Sequence, residues 1–265
     1  MILEINNLHL QHHNLTARRF SELQSKPLNI IIMSNRRSAF AQPQQNPATK
    51  FLNWKSNDKC FSYYDKEKAE NVQVNLPFKF LVLDELASVK GWSDSLSGGI
   101  MSNEVKYISK EPLTVKCYHK NVKGEGTSTE IARGIYKDIK EKVNSAGAKY
   151  HKSVYVMLED GTLASIQMKG AVVQQWGTFT QRTKTRLPDE WVIVEKHVDG
   201  KKGAVKFTTP EFKFERSLSD SEVEQADEAF NELESYLKTY LSKTEVVVDN
   251  TIDDEEEEEH DDLDF

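Results

Sequence analysis

The chain has 265 residues and a formal net charge of −7, a length that allows one large domain or one domain with additions. Its two cysteines, Cys60 and Cys117, are far apart and form no CxxC pair, which argues against a disulfide framework or a zinc knuckle. No stretch reaches the ~18 apolar residues of a membrane-spanning helix, and the first residues lack a signal-peptide pattern. We therefore expect a cytoplasmic protein.

The charge is concentrated at one end of the chain. Residues 253–265 contain ten carboxylates and no lysine or arginine. Taking that −10 away from the −7 of the whole chain leaves +3 on residues 1–252. A mildly basic body with an acidic end favours a polyanion as partner and argues against an acidic DNA mimic, which would be anionic throughout.

The first part of the chain predicts a flexible extension over residues 1–49. Residues 34–49 are polar and include two prolines, a composition typical of segments without a packed core. Met33 opens a segment with the composition of a natural protein start, and we hypothesise that translation begins there.

Aromatic residues alternate with lysines from Lys50 to Lys68, on both sides of Asn57-Asp58. This pattern predicts a β-hairpin. Its aromatic rings could stack on nucleic-acid bases while the ammonium groups contact phosphates. Alternatively, one face of the hairpin packs on the core and the lysines are solvated edge charges.

Five strands and one helix are predicted between residues 77 and 168. The strands follow from apolar content and period-two alternation, and the helix follows from a capping box of Thr127 and Glu130, with an end near Gly147. The Asp160-Gly161 pair predicts a tight turn. The order β-β-β-α-β-β is that of an OB-fold, a five-stranded barrel. The predicted strands are 77–86, 100–108, 113–119, 153–158 and 163–168, with turns at 90–92 and 98–99.

Further elements follow the predicted barrel. A short helix is predicted at 171–180, and a second hairpin at 191–214 around the glycines at 200 and 203. Ser219 and Glu222 form a capping box that opens a helix to about Ser242, with an apolar seam at 3,4 spacing. We expect the seam to pack against the barrel, and the alternative is a helix pair in a homodimer. The predicted fold is mainly β with α: an OB-fold-like five-stranded barrel with flanking hairpins and a C-terminal helix, spanning residues 50–245.

No sequence motif of an enzyme is present. The chain contains no HExxH, P-loop, GxGxxG or GxSxG pattern. Asp84-Glu85 and Glu159-Asp160 are carboxylate pairs that could hold a metal ion, but neighbouring carboxylates at strand ends are usually solvated. We therefore predict a binding protein with no catalytic residue, no metal site and no cofactor.

Positive charge and aromatic residues coincide in the predicted barrel. Residues 105–152 hold eleven Lys/Arg and five Asp/Glu. Tyr107 and Tyr118 fall on neighbouring predicted strands, and Lys116 shares with Tyr118 the face opposite Val115 and Cys117. A basic track with aromatic platforms is what single-stranded nucleic acid requires, although each aromatic taken alone is more commonly a core residue. The predicted nucleic-acid-binding residues are Lys50, Trp54, Lys55, Tyr63, Lys90, Trp92, Lys106, Tyr107, Lys116, Tyr118, Lys120 and Lys123.

The acidic end finishes with two apolar residues, Leu263 and Phe265. Self-repulsion predicts a disordered tail over 246–265. An aromatic anchor beside steering charges is typical of a short peptide ligand, and the alternative is an inert acidic terminus. The predicted partner-binding residues are Asp261, Asp262, Leu263, Asp264 and Phe265.

This tail resembles those of bacterial and phage single-stranded DNA-binding proteins, which end in a hydrophobic residue and Phe. Asp264 stands where the usual bacterial tip has Pro, so the phage-type tails are the closer comparison. The resemblance implies an OB-fold protein that coats single-stranded DNA in replication, recombination and repair. It also implies that the tail competes with DNA for a basic groove and docks on partners such as polymerase or helicase-primase.

Two other functions stay open at this stage. The first is a non-enzymatic protein-interaction or virion-associated module, whose acidic tail prevents aggregation. The second is a metal-dependent enzyme acting on nucleic acid. A homodimer is a further possibility.

Overall fold

The computed structural model describes residues 45–242. In this part the chain is mainly β, with eleven strands, three α-helices and a short 3-10 helix at Lys184–Arg186. The strands are β1 (Lys50–Lys55), β2 (Cys60–Asp65), β3 (Glu70–Val74), β4 (Phe78–Ser93), β5 (Gly98–Ser102), β6 (Leu113–Lys120), β7 (Gly126–Gly134), β8 (Ala148–Leu158), β9 (Leu163–Lys169), β10 (Glu190–Lys202) and β11 (Val205–Ser217). The α-helices are α1 (Tyr136–Ser145), α2 (Gly170–Thr180) and α3 (Asp220–Leu241).

The strands form one mixed sheet in the order β3-β2-β1-β9-β8-β4-β5-β6-β7. Neighbours are antiparallel except β1 and β9, which are parallel. The β10–β11 hairpin joins this sheet through Val192–Val194, which pairs with the start of β4. Because β4 is sixteen residues long, it contacts β10 at one end, β5 at the other and β8 along most of its length.

Two large apolar clusters lie against the sheet. One collects aromatic side chains around α2, where Trp176 packs near Phe80 and Phe212 with ring centroids 6.3 and 4.9 Å away. The other lies under α1, which buries Ile139 and Val143 against β4, β5 and β6. Apolar residues at every second position of these strands supply the buried surface, as expected for strands with one core-facing side.

Glu85 is a partly buried carboxylate that joins β4 to three other elements. Its oxygens accept hydrogen bonds from Trp176 Nε1 at 2.6 Å and Lys152 Nζ at 3.2 Å, and Lys184 Nζ lies 3.5 Å away. Burial raises the pKa of Glu85, but the two lysines and the indole N–H oppose it and hold the pKa below its usual range. These contacts therefore keep the Glu85 carboxylate ionised within the fold.

The predicted helix at Thr127 is wrong, because Gly126–Gly134 forms strand β7 along β6. Its residues include β-branched Thr and Ile, which favour a pleated strand when a partner strand is available. The helix begins later, at Tyr136, after Gly134 with φ 144°. A capping-box spacing thus occurred by chance inside a strand.

The predicted turn at 90–92 is also wrong, since β4 continues through Ser93. Gly91 has a packing role there: a Cβ at this position would overlap the backbone of Gly147 and Ala148 on the neighbouring chain segment. The predicted strand 100–108 is shorter than expected and ends at Ser102. Strand β3 was not predicted.

Other local predictions are confirmed. The hairpin around Asn57-Asp58 is present as β1 and β2, and the turn at Asp160-Gly161 joins β8 and β9. The second predicted hairpin is present as β10 and β11, with its turn at residues 203–204 because residues 200–202 belong to β10. The helix at 171–180 is α2, and Ser219 and Glu222 form the expected capping box of α3. Helix α3 packs on the sheet as expected, through buried Ala226, Ala229, Leu233 and Leu237. Val223 and Phe230, which the predicted seam included, are exposed instead.

Mainly β with α is confirmed as the fold class, whereas the closed five-stranded barrel is not. The outer edge of β6 pairs with β7, and the outer edge of β9 pairs with β1, so these two strands do not close on each other. The predicted extension before residue 45, with the proposed start at Met33, and the acidic tail lie outside the described residues.

None of the helices at 45–242 is both long and apolar enough to cross a membrane.

Candidate nucleic-acid interface

One face of the sheet collects lysines and aromatic residues from five strands. The register sets three side-chain rows across it, because directly opposed residues in antiparallel strands project to the same side. We call this surface the open face. Its rows are Lys149–Lys90–Met101–Lys116, Trp92–Gly99–Tyr118 and Lys169–His151–Ser88.

The open face exists because the alternate residues of the same strands are apolar. Val89, Ile100, Val115 and Cys117 are fully buried against α1. Since successive side chains of a strand point to opposite sides, their neighbours must project away from the core. The predicted alternation of Lys116 and Tyr118 with Val115 and Cys117 is confirmed.

Three lysines of the open face, like several other lysines of the described chain, have no carboxylate partner. Lys116 and Lys169 form no ion pair with residues 45–242, and Lys90 donates a hydrogen bond to the neutral Gln167 at 3.0 Å. By contrast, Lys79 lies 2.7 Å from Glu215 and Lys106 lies 2.8 Å from Asp84. Within the described chain, none of these three lysines therefore forms an ion pair.

Glu130 is the carboxylate paired across the strands with Lys116. Its side chain binds Arg133 at 2.7 Å, and Arg133, followed by Lys116, holds the pKa of Glu130 below its usual range. Because Arg133 already engages this carboxylate, the Lys116 ammonium group is left without a direct contact to it.

The surroundings of His151 on the open face are also positively charged. Burial of the imidazole, followed by repulsion from Lys90 and Lys169, lowers the pKa of His151 to about 3. Its Nδ1 lies 3.2 Å from the carbonyl oxygen of Lys149. The ring is therefore neutral at physiological pH, and His151 lies in register with Lys169 on one side and Ser88 on the other.

Two aromatic residues flank Gly99 on this face. Trp92 leaves 41% of its surface exposed, and Tyr118 is partly exposed on β6. The Tyr118 hydroxyl is buried and has no hydrogen-bond partner among the described residues, and burial raises the pKa of Tyr118. Both rings stand where a planar ligand lying on the sheet would contact them.

Four predicted residues, Lys90, Trp92, Lys116 and Tyr118, are thus brought together. Lys120 ends β6 two residues after Tyr118, on the same side of the strand, and is exposed. Lys123 lies in the exposed turn between β6 and β7. These two lysines extend the basic track beyond the edge of the Trp92 row.

Trp54 and Tyr63 do not belong to the open face. Trp54 donates its indole N–H to the Thr208 carbonyl at 2.9 Å and packs on Phe61 with ring centroids 5.1 Å apart. Tyr63 packs against the same aromatic core, and Lys50 lies 5.7 Å above the Tyr63 ring. For the first hairpin, the structure therefore favours the core-packing alternative.

Two cations of the first hairpin have separate positions. Lys50 forms an ion pair with Asp160 at 3.9 Å. Lys55 is exposed and lies two residues beyond Asn53, which pairs with Gln167 of β9. Since Lys169 is likewise two residues beyond Gln167, Lys55 lies on the side of the sheet that carries the open face.

Tyr107 does not lie on a strand next to Tyr118, contrary to the sequence-based expectation. It lies in the loop after β5, with 62% of its surface exposed, and Lys110 Nζ lies 5.7 Å from its ring centroid. Its neighbour Lys106 is bound to Asp84. The residue opposite Tyr118 is Gly99, because β5 ends earlier than predicted.

The sequence interpretation missed Gly99, Lys149, His151 and Lys169. The local signal for Lys149 and His151 was weak, since residues 149–152 are all half-buried and show no period-two alternation. The predicted strand began only at residue 153, so both residues were left out. Lys169 could be placed only through the pairing of β9 with β8.

Helix α3 runs along the sheet toward the open face. Its Ala226 and Ala229 cluster with Leu81 of β4, whereas Leu233 and Leu237 cluster with Leu86, five residues further along the same strand. The helix and β4 therefore run in the same direction, and Lys90 follows Leu86 by four residues, or about 13 Å. The last residues of α3 thus lie toward the end of β4 that carries Lys90.

The carboxylates considered as metal ligands have other partners. Asp84 binds Lys106, Glu85 binds Trp176 and two lysines, and Asp160 accepts a hydrogen bond from the Thr162 backbone N–H at 2.9 Å. Within residues 45–242, no group of three or more His, Cys, Asp or Glu side chains is arranged to hold a metal ion.

No protein-family model, curated protein or solved structure matches this chain. The geometry and charge of the open face are therefore the basis for assigning a function.

Proposed function

We propose that this protein binds single-stranded DNA along the open face, and that it coats exposed strands in DNA replication, recombination and repair. The observation that carries the proposal is the placement of Lys90, Lys116 and Lys169, which form no ion pair within residues 45–242, beside the exposed Trp92 and the partly exposed Tyr118. Phosphates supply the complementary negative charge, and bases supply flat apolar faces for the two rings. A duplex hides those faces in its stack, so the single strand is the favoured ligand.

The lowered pKa of His151 supports an anionic ligand. Repulsion by Lys90 and Lys169 contributes to that shift, so the same potential that disfavours a proton attracts a phosphate. The positive potential extends toward the edge of the sheet over Lys116, Lys120 and Lys123.

An OB-fold relationship is part of this proposal. The consecutive antiparallel strands β4, β5 and β6, with β8 on the other edge of β4, support it, because the second and third strands of an OB-fold form its usual ligand face. Those strands correspond to β5 and β6, which carry Gly99, Lys116 and Tyr118. The pairing of β6 with β7 departs from a closed barrel.

The acidic tail has two roles in the proposal. Its carboxylates compete with DNA for the lysines of the open face, which the direction of α3 and the charge complementarity support. Its apolar tip, Leu263 and Phe265, docks on replication proteins such as polymerase or helicase-primase. We place the protein in the cytoplasm, in a host cell if it belongs to a bacteriophage, as the tail resemblance implies.

The decisive experiment is a fluorescence titration with labelled oligo(dT) and a duplex of equal length, at low and high salt. Salt-sensitive preference for oligo(dT) is the expected result. An interaction module predicts no such binding, and a metal-dependent enzyme predicts divalent-dependent turnover that Asp84→Asn abolishes. Either of those outcomes would refute the proposed function.

A further inference from the structure

Gly99 occupies the centre of the Trp92–Gly99–Tyr118 row. It pairs with Trp92 on one side and with Tyr118 on the other. A Cβ added at Gly99 would have no atom within 4 Å, and the residue is not in the left-handed region of backbone conformation. Neither packing nor backbone conformation therefore requires glycine at this position in the free protein.

Two other glycines of the fold, Gly98 and Gly91, differ from Gly99 because packing requires them. A Cβ at Gly98 would overlap the carbonyl oxygen of Tyr118, and a Cβ at Gly91 would overlap the backbone of Ala148. Both of those glycines permit close packing. A glycine within a strand weakens it, because it restricts the unfolded chain least and contributes no side-chain packing. Close approach of a ligand is one physical reason for a glycine at such a site.

The dimensions of the row fit one aromatic ring system. Directly opposed Cα atoms of antiparallel strands are about 4.5 and 5.5 Å apart in alternating pairs, so Trp92 and Tyr118 are separated by about 10 Å across Gly99. A planar ring in contact with a neighbour on each side needs about 7 Å between those neighbours. Lys90 and Lys116 lie in the adjacent row, about 7 Å along the strands, where they can bind the phosphates of the same strand.

We propose that the gap over Gly99 is a base-binding slot, in which one nucleobase of the bound strand inserts between Trp92 and Tyr118. Gly99 forms the floor of this slot, and any larger residue occupies the space of the base. The inference rests on the proposed function, since it assigns a base-specific subsite to the phosphate-binding face.

The test compares wild-type protein with Gly99→Val and Gly99→Ala. Their affinities are measured for oligo(dT) and for an abasic deoxyribose-phosphate strand of equal length and charge. The matched control is Gly177→Ala in α2, where an added Cβ also has no atom within 4 Å. Thermal unfolding is recorded for every variant.

Gly99→Val is expected to weaken oligo(dT) binding by about 10-fold, from the loss of base stacking. Binding of the abasic strand should stay equal to wild type, because the lysines are unchanged. The melting temperature should rise or stay constant, since valine favours a strand more than glycine does. Gly99→Ala should weaken oligo(dT) binding less, and Gly177→Ala should bind both strands as wild type does.

Two results would overturn the slot while leaving the proposed function intact. One is wild-type affinity of Gly99→Val for oligo(dT), and the other is an equal loss of affinity for both strands. If the wild-type protein binds neither strand, the proposed function fails and the slot fails with it. Should Gly99→Val not fold, the same comparison with Gly99→Ala decides between these outcomes.

Discussion

Replacing Lys90, Lys116 and Lys169 together by glutamine tests whether the open face binds phosphates. In single-stranded DNA, each neutralised phosphate contributes about 0.7 to the slope of log K against log salt concentration. Loss of three such contacts should lower the magnitude of that slope by about 2. The triple variant should then bind oligo(dT) about 100-fold more weakly than wild type at 0.1 M salt and nearly equally at 1 M.

A control variant with the same net charge accounts for the long-range electrostatic effect of losing three cations. Lys68→Gln, Lys213→Gln and Lys238→Gln, combined in one protein, remove exposed lysines that pair with carboxylates. Such surface pairs contribute between about 0 and 1 kcal/mol each, so the control should remain folded. Its salt slope should differ little from wild type.

One of the control lysines can be placed far from the open face. Lys213 pairs with Ile193, which pairs in turn with Lys79, and Lys79 lies eleven residues before Lys90 on β4, or about 36 Å. Equal slopes for the two triple variants, measured by fluorescence titration over a salt series, would refute phosphate binding by the open face.

Truncation after Ile252 is expected to tighten oligo(dT) binding at low salt, because it removes ten carboxylates that compete for the lysines, and identical affinity across a salt series would contradict that competition. Phe265→Ala removes an apolar anchor but no charge. It should therefore leave oligo(dT) affinity unchanged and weaken binding to a purified polymerase or helicase-primase partner. Unchanged partner affinity would count against the tip as a ligand. The pKa of His151 is about 3 in the folded protein against an ordinary value of 6.5, so the unfolded state binds more protons below pH 6.5 and stability should fall as the pH decreases. Relative to His151→Gln, wild type should lose about 1 kcal/mol of unfolding free energy between pH 6 and pH 5 in urea titrations, and parallel pH profiles would disprove the neutral buried imidazole. Glu85→Gln leaves the partly buried Lys152 without its carboxylate, so the urea midpoint should fall by the equivalent of about 3 kcal/mol with oligo(dT) affinity retained. An unshifted midpoint would show that this ion pair does not stabilise the fold.

Local signals in the sequence were sufficient for several elements. The Asn57-Asp58 and Asp160-Gly161 turns lie where they were predicted, and Ser219 with Glu222 caps α3. Such features depend on residues a few positions apart, whose backbone preferences and hydrogen bonds act within one turn. The alternation that exposes Lys116 is likewise a local pattern with a period of two.

Other elements depended on neighbours far away in the sequence. Thr127 and Glu130 have the spacing of a helix cap, yet they lie in β7, because β6 offers a complete ladder of backbone partners. Gly91 suggested a turn, but the approach of Gly147 and Ala148 makes it a packing site within β4. In both cases a long-range contact outweighed the local preference.

For the candidate site, too, some features followed from local sequence and others from long-range contacts. Composition and residue patterns were enough to predict a mainly β chain, a basic body with an acidic tail, and a supply of lysines and aromatic residues. Strand pairing and long-range packing then place Trp54 in the core and Tyr107 in a loop, and bring Trp92 and Tyr118 to either side of Gly99. The physical reason is register: a shift of one residue between paired strands moves every side chain to the other face, and turn and strand propensities do not specify that register over long loops.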